Sequence, residues 1–145
     1  MSIDSSKSSP FWQRTYVTLS LTLAVLFAMV GLIFLFIPQQ VLHLFNTISP
    51  HWGLMASPEL GRNFYLILAV AYMYLVTVLA WMMYRHPENR TFPWLLIQGK
   101  SASSLVSIFF FLDAPYLIYL ANAIVDGSIA IGVLFLSQKV QQDKL

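Results

Sequence analysis

Four long apolar runs, separated by short polar segments, dominate the pattern of hydrophobic and polar positions along the 145-residue chain. The runs extend over about residues 16–37, 63–84, 92–112 and 116–136. About 20 helical residues cross the hydrocarbon core of a bilayer, so each run is long enough to span a membrane. The pattern predicts one domain, residues 1–145, with an all-α fold: an integral membrane four-helix bundle.

The segments outside the runs have distinct characters. Residues 1–10 are polar and rich in serine, and we predict a disordered tail there. The first run is too long for a signal-peptide core and lacks a small-residue cleavage site, so it is interpreted as a retained anchor. Residues 38–56 carry many apolar side chains and few charges, which predicts an external loop lying on the membrane interface.

Two helix starts are also predicted from local signals. Ser57, Pro58 and Glu59 have the residue types of an N-cap, a first helical position and an acidic first turn. Asp113 is an N-cap candidate for the fourth helix. Because only residues 113–115 separate the third and fourth runs, these two helices should form an antiparallel hairpin.

Composition supports the membrane interpretation and excludes several classes of function. The chain is 58% hydrophobic and 10% charged, with a mean hydropathy of +0.69, whereas soluble domains carry about 25% charged residues. It has no cysteine, which excludes disulfides, thiolate catalysis and iron–sulfur clusters. Its basic residues form no stripe of the kind that binds nucleic acid, and its three histidines lie outside the apolar runs. We therefore predict no metal, no cofactor and no nucleic-acid partner.

Lysine and arginine are distributed asymmetrically between the two ends of the predicted bundle. One end has only Arg62, and the other has six basic residues: Lys7, Arg14, Arg85, Arg90, Lys139 and Lys144. Cytoplasmic segments are the ones enriched in these residues. The asymmetry predicts that both termini are cytoplasmic and that the protein is a multi-pass component of a cell membrane, most simply the bacterial cytoplasmic membrane.

Two ionisable residues stand inside the predicted spans, Lys100 in the third and Asp126 in the fourth. Each costs about 2.5 to 3.5 kcal/mol at the centre of a membrane on insertion scales. Both lie in the half of the hairpin nearer its cytoplasmic end, at nearly the same depth. An ion pair between the two helices is the arrangement that compensates both charges.

Polar and small residues extend this pair into stripes. Ser103, Ser104 and Ser107 share the face of Lys100, while Tyr119 and Asn122 share that of Asp126. We expect both stripes to face the interior of the bundle as a candidate buried polar site. Small residues at four-residue spacing would let the backbones approach closely, either as Ala123 and Gly127 or as Ser128 and Gly132, against Gly99, Ser103 and Ser107.

The buried polar site has two interpretations, a structural ion pair or the floor of a pocket for a ligand head group. A proton path is less well supported, because no second carboxylate or histidine lies nearby. Glu59 and Arg62 form a second candidate site, a charged pair at the outer surface. They could bind an anionic group or simply pair with each other at the start of a helix.

The layout resembles small bacterial membrane proteins of the DoxX-like kind. The residues that carry the resemblance are Gly31 and Pro38 near the end of span one, Glu59 and Arg62 at span two, Lys100 in span three and Asp126-Gly127 in span four. The resemblance implies a four-helix bundle and, from some members of the family, an accessory role in redox or quinone-linked systems. It implies no catalytic residue.

Three functions remain open at this point. The first is a non-catalytic component, either an accessory subunit or a bundle that binds a lipid or quinone. The second is a small proton- or solute-coupled transporter acting as an oligomer, and the third is a membrane enzyme with a lipidic substrate. No catalytic motif is present, which disfavours the enzyme. The partners expected are membrane lipids and other membrane subunits or further copies of the chain.

Overall fold

The fold is all-α, as the sequence predicts. The computed structural model describes residues 10–58 and 62–142. In these two ranges the chain forms five α-helices and one 3₁₀ turn (Ser49–Trp52): α1 (Pro10–Phe36), α2 (Pro38–Ile48), α3 (Arg62–Arg85), α4 (Thr91–Asp113) and α5 (Leu117–Gln142). Of these, α1, α3, α4 and α5 are long and apolar enough to cross a membrane. They correspond to the four predicted runs.

Two helices are longer than the apolar runs that predicted them. The first begins at Pro10 rather than near residue 16, and α5 continues to Gln142 rather than ending near residue 136. Proline suits a helix start, because its missing N–H would have no helical acceptor there. Hydropathy locates the apolar part of a helix and not its polar ends. The rest of the predicted disordered tail, residues 1–9, lies outside the described residues.

The segment predicted as an interfacial loop is mostly helical, so the loop conformation is wrong for residues 38–52, while the location at the membrane interface stays a prediction. Pro38 has no N–H to continue the hydrogen bonding of α1, so α1 ends at Phe36 and Pro38 takes the first position of α2. Leu42 is the buried residue of α2, which packs against α1 and α5. The segment ends at Gly53, whose φ of 65° favours glycine.

The structure corrects two of the predicted positions, Pro58 as a first helical residue and Asp113 as an N-cap, while Glu59 lies outside the described residues. Ser57 and Pro58 are not helical. The Ser57 N–H donates to Asn46 Oδ1 at 2.8 Å, and the Ser57 carbonyl accepts from Asn46 Nδ2 at 3.0 Å. These two hydrogen bonds connect the segment before α3 to α2. Asp113 is the last residue of α4, and α5 begins only at Leu117 after an extended Ala114. Asp113 lies four residues before Leu117, so it does not occupy the N-cap position of α5, which directly precedes the first helical residue.

The four long helices pack as two pairs that close into a ring. The most extensive contacts are between α1 and α3 and between α4 and α5; the ring closes through smaller contacts of α3 with α4 and of α1 with α5. The core includes Tyr16, Phe27, Val76, Met83, Leu96 and Val133. Between 17% and 28% of the most apolar stretch of each long helix is buried. Most of the apolar surface therefore faces outwards.

Candidate functional site

Lys100 and Asp126 meet in the interior of the bundle. The distance from Lys100 Nζ to Asp126 Oδ1 is 2.7 Å, and the two side chains are 3% and 4% exposed. Their helices, α4 and α5, are antiparallel neighbours, which brings the two positions to the same level. The ion pair expected from the isolated charges is confirmed as a contact.

Two aromatic rings from the other helix pair complete the surroundings of the ammonium group. Lys100 Nζ lies 4.5 Å from the centroid of the Phe27 ring on α1 and 5.0 Å from that of the Tyr72 ring on α3. Such cation–π contacts stabilise an ammonium by about 2 kcal/mol or more where water is excluded. The site is thus built from all four long helices, and sequence reasoning found only the half on α4 and α5.

Two polar atoms of this cluster are left without hydrogen bonds. Asp126 Oδ2 and the Tyr72 hydroxyl are buried and have no hydrogen-bond partner among the described residues. Leaving a buried polar group unpaired costs about 1 to 3 kcal/mol, and more when the group is charged. A purely structural ion pair would be expected to satisfy both carboxylate oxygens. We infer that Asp126 Oδ2 and the Tyr72 hydroxyl are available to hydrogen-bond a ligand.

The predicted serine stripe also bridges α4 and α5. Ser104 Oγ donates to the Ala123 carbonyl at 2.8 Å, and Asn122 Nδ2 donates to Ser107 Oγ at 2.8 Å and to Ser103 Oγ at 3.1 Å. Ser104 and Ser107 are buried as expected, but Asn122 is exposed. The expectation that both stripes face the interior is therefore wrong for Asn122, which lies at the edge of the helix pair.

Tyr119 lies apart from the ion pair. Its ring packs against the rings of Phe110 and Tyr116, with centroid distances of 5.8 and 5.4 Å, near the connection between α4 and α5. It shares a helix face with Asp126 but is seven residues away, about 10 Å along the helix axis. We therefore leave Tyr119 out of the buried site.

Glycine at position 127 allows the two helices to approach at this level. A Cβ atom added to Gly127 would lie 3.0 Å from Ser104 Oγ, whereas one added to Gly132 would meet nothing within 4 Å. Of the two small-residue pairs that the sequence offered, Ala123 and Gly127 form the close contact. The same approach brings Asp126, beside Gly127, into reach of Lys100.

The second candidate site lies largely outside the described residues. Glu59 is in the undescribed segment, and Arg62 is described only as the first residue of α3. Within residues 10–58 and 62–142, no three histidine, aspartate or glutamate side chains are grouped as a metal site requires.

The geometry defines a class of site, a buried ion pair with spare hydrogen-bonding capacity inside a helical bundle. No protein-family model matches the chain, and no curated protein or solved structure proves similar to it. The chemistry of the site is therefore the basis for any statement about function.

Proposed function

We propose that the chain is a multi-pass membrane protein that binds the polar head of a lipidic or quinone-like molecule between its helices, as a non-catalytic component. The observation that carries this proposal is the incompletely hydrogen-bonded cluster, in which Asp126 Oδ2 and the Tyr72 hydroxyl lack partners among the described residues. Ionisable residues inside membrane spans commonly mark such functional sites.

The location of the cluster supports ligand entry between the two helix pairs. Phe27 and Tyr72 lie on α1 and α3, while Lys100 and Asp126 lie on α4 and α5. Because the contacts within each pair are more extensive than those between the pairs, we place the entry route between α3 and α4. A ligand that enters there reaches the cluster directly.

The unpartnered atoms indicate the chemical class of the ligand. An ionised carboxylate oxygen accepts hydrogen bonds, and a phenol hydroxyl both donates and accepts them. A matching head group has an O–H that donates to Asp126 Oδ2 and an oxygen that accepts from Tyr72. Quinols and lipids with hydroxylated head groups combine these features with an apolar body, which suits the outward apolar surface of the helices.

Membrane insertion with both ends on the cytoplasmic side is part of the same proposal. It is supported by the four long apolar helices and by the basic residues Arg14, Arg85, Arg90 and Lys139, which all fall at one end of the bundle. The resemblance to DoxX-like proteins, and with it the accessory-subunit role, is compatible with this arrangement and stands as a proposal.

The test is to purify the protein from native membranes in mild detergent and to identify bound lipids and quinones by mass spectrometry. The Tyr72→Phe variant keeps the ring beside Lys100 but removes the unpartnered hydroxyl. We expect it to retain at most about a fifth of the bound ligand, the effect of losing one hydrogen bond worth about 1 kcal/mol. Its melting temperature should not fall.

Tyr74→Phe is the matched control, because Tyr74 lies on the same helix two residues away and its side chain is 72% exposed. This control should retain the full amount of ligand. Equal retention by the two variants would contradict the proposed site, and a ligand-free wild-type protein would contradict the binding role. A co-purifying protein that is unaffected by Tyr72→Phe would favour an accessory subunit that does not use this site.

A further inference from the structure

Two adjoining cavities lie at the end of the bundle where α4 begins and α5 ends. The smaller has a volume of about 80 Å³ and the larger about 430 Å³. They share four lining residues, Arg90, Pro93, Ser137 and Gln141. Together they form one groove, which we call the Arg90 groove. It lies at the end of α4 and α5 that is opposite to the connection between these two helices.

The lining of the Arg90 groove changes from polar to apolar along the helices. Arg90, Thr91 and Gln141 line it near the helix ends, whereas Ile97 and Leu134 line it further in. At 1.5 Å per residue, Ile97 lies about 9 Å from the start of α4 and Leu134 about 10 Å from Gln141. This sequence of polar and then apolar groups follows the order of a phospholipid, whose head group lies at the interface and whose chains lie deeper.

A buried hydroxyl at the smaller cavity points independently to a ligand. Tyr16 on α1 lines that cavity and is 1% exposed. Its hydroxyl is buried without a hydrogen-bond partner among the described residues. A head-group oxygen that reaches this hydroxyl would supply the missing partner.

The charge of this region favours an anion. Arg90 lines both cavities, and Arg14, Arg85 and Lys139 occupy the same end of the bundle. Among the described residues that line the smaller cavity, the acidic one is Glu88, whose carboxylate lies 3.6 Å from His86 Nδ1. Basic pockets between membrane helices on one face of a bilayer bind anionic lipid head groups.

We propose that the Arg90 groove is a binding site for an anionic phospholipid, with the phosphate at Arg90, a head-group oxygen near Tyr16 and one acyl chain along Ile97 and Leu134. This inference rests on the proposed membrane insertion and not on a ligand at Lys100 and Asp126. The two sites can therefore fail separately.

The test uses Trp94, which lines the larger cavity, as a fluorescent reporter. The other three tryptophans, Trp12, Trp52 and Trp81, are replaced by phenylalanine. Brominated phosphatidylglycerol and brominated phosphatidylcholine are then titrated into the detergent-solubilised protein. We expect Trp94 to be quenched at about fivefold lower mole fraction by the anionic lipid, the effect of about one basic contact.

Arg90→Gln should abolish this preference, whereas Arg85→Gln should keep it, because Arg85 is an exposed arginine at the same end that lines neither cavity. Tyr16→Phe should lower the affinity for the anionic lipid at least twofold without lowering the melting temperature of the protein. Inorganic phosphate should not displace the lipid. Equal effects of the two arginine substitutions, an unchanged affinity in Tyr16→Phe, or displacement by inorganic phosphate would overturn the proposal.

Discussion

At the scale of single residues, the contact between Lys100 and Asp126 has a high desolvation cost and incomplete hydrogen bonding. Removing two charges from water costs several kcal/mol for each ion, and the attraction between them compensates this only when the remaining polar atoms are also satisfied. Here the ammonium has one carboxylate oxygen and two aromatic rings, while Asp126 Oδ2 has no partner among the described residues. The pair is therefore weak evidence for stability, which is consistent with the proposed binding role.

Substitutions of Lys100 and Asp126 measure how much their interaction contributes to the stability of the protein. Lys100→Met or Asp126→Leu alone leaves a buried charge unpaired, and we expect each to lower the free energy of unfolding by about 3 to 5 kcal/mol. The double variant removes both charges at similar volume and should be about as stable as the wild type. Denaturant titration of the purified protein in detergent measures all three. Additive losses in the double variant would contradict a pairwise interaction.

The ion pair could be predicted from the sequence because an isolated charge in an apolar span has few ways of being compensated. The contacts of Phe27 and Tyr72 could not be predicted, since the runs that contain them have no charged residue and show no face that must be buried. Their position depends on how α1 and α3 pack against α4, which is a property of the whole bundle. The unpartnered hydroxyl of Tyr72 is visible only once that packing is known.

At the scale of helices, hydropathy predicts well which segments form long helices, but it predicts poorly where those helices begin and end. Hydropathy identifies the four long helices but not α2, because an eleven-residue helix with polar positions does not stand out beside runs twice as long. Pro58 is not helical, and the backbone of Ser57 hydrogen-bonds to the side chain of Asn46 on α2. A local capping signal cannot anticipate a tertiary contact.

Close helix packing gives the prediction at this scale. A Cβ atom at Gly31 on α1 would lie 3.1 Å from Met73 Cβ on α3, and this neighbour cannot rotate away. Gly31→Ala should therefore separate the two helices and lower the free energy of unfolding by about 1 to 3 kcal/mol, the usual cost of overpacking. Thermal melts in detergent measure the change.

Gly132→Ala is the control, since a Cβ there meets nothing within 4 Å. This variant should gain up to about 1 kcal/mol from the higher helix propensity of alanine. Gly127→Ala should fall between the two, because the crowded atom, Ser104 Oγ, can move away only by giving up its hydrogen bond to Ala123. An equal response at positions 31 and 132 would mean that the α1–α3 contact is not close.

At the scale of the whole molecule, two helix pairs with outward apolar surfaces and one basic end suggest a single orientation in a membrane. Glu88, between α3 and α4, and His51, in the 3₁₀ turn before α3, lie at opposite ends of α3 and are both exposed. The distribution of lysine and arginine predicts this orientation from the sequence alone, because it does not depend on packing.

The chain contains no cysteine, so a single introduced cysteine is the only thiol of this protein that a maleimide can label. Its labelling therefore shows on which side of the membrane that position lies. A membrane-impermeant maleimide added to intact cells should label His51→Cys, whereas Glu88→Cys should react only after the cells are permeabilised. The physical reason is that Arg85 and Arg90 flank Glu88, and arginines close to the ends of spans favour the cytoplasmic side. Labelling of the denatured proteins controls for expression and thiol reactivity. Equal labelling of both variants in intact cells would indicate two mixed orientations, and it would place the Arg90 groove on both faces of the membrane.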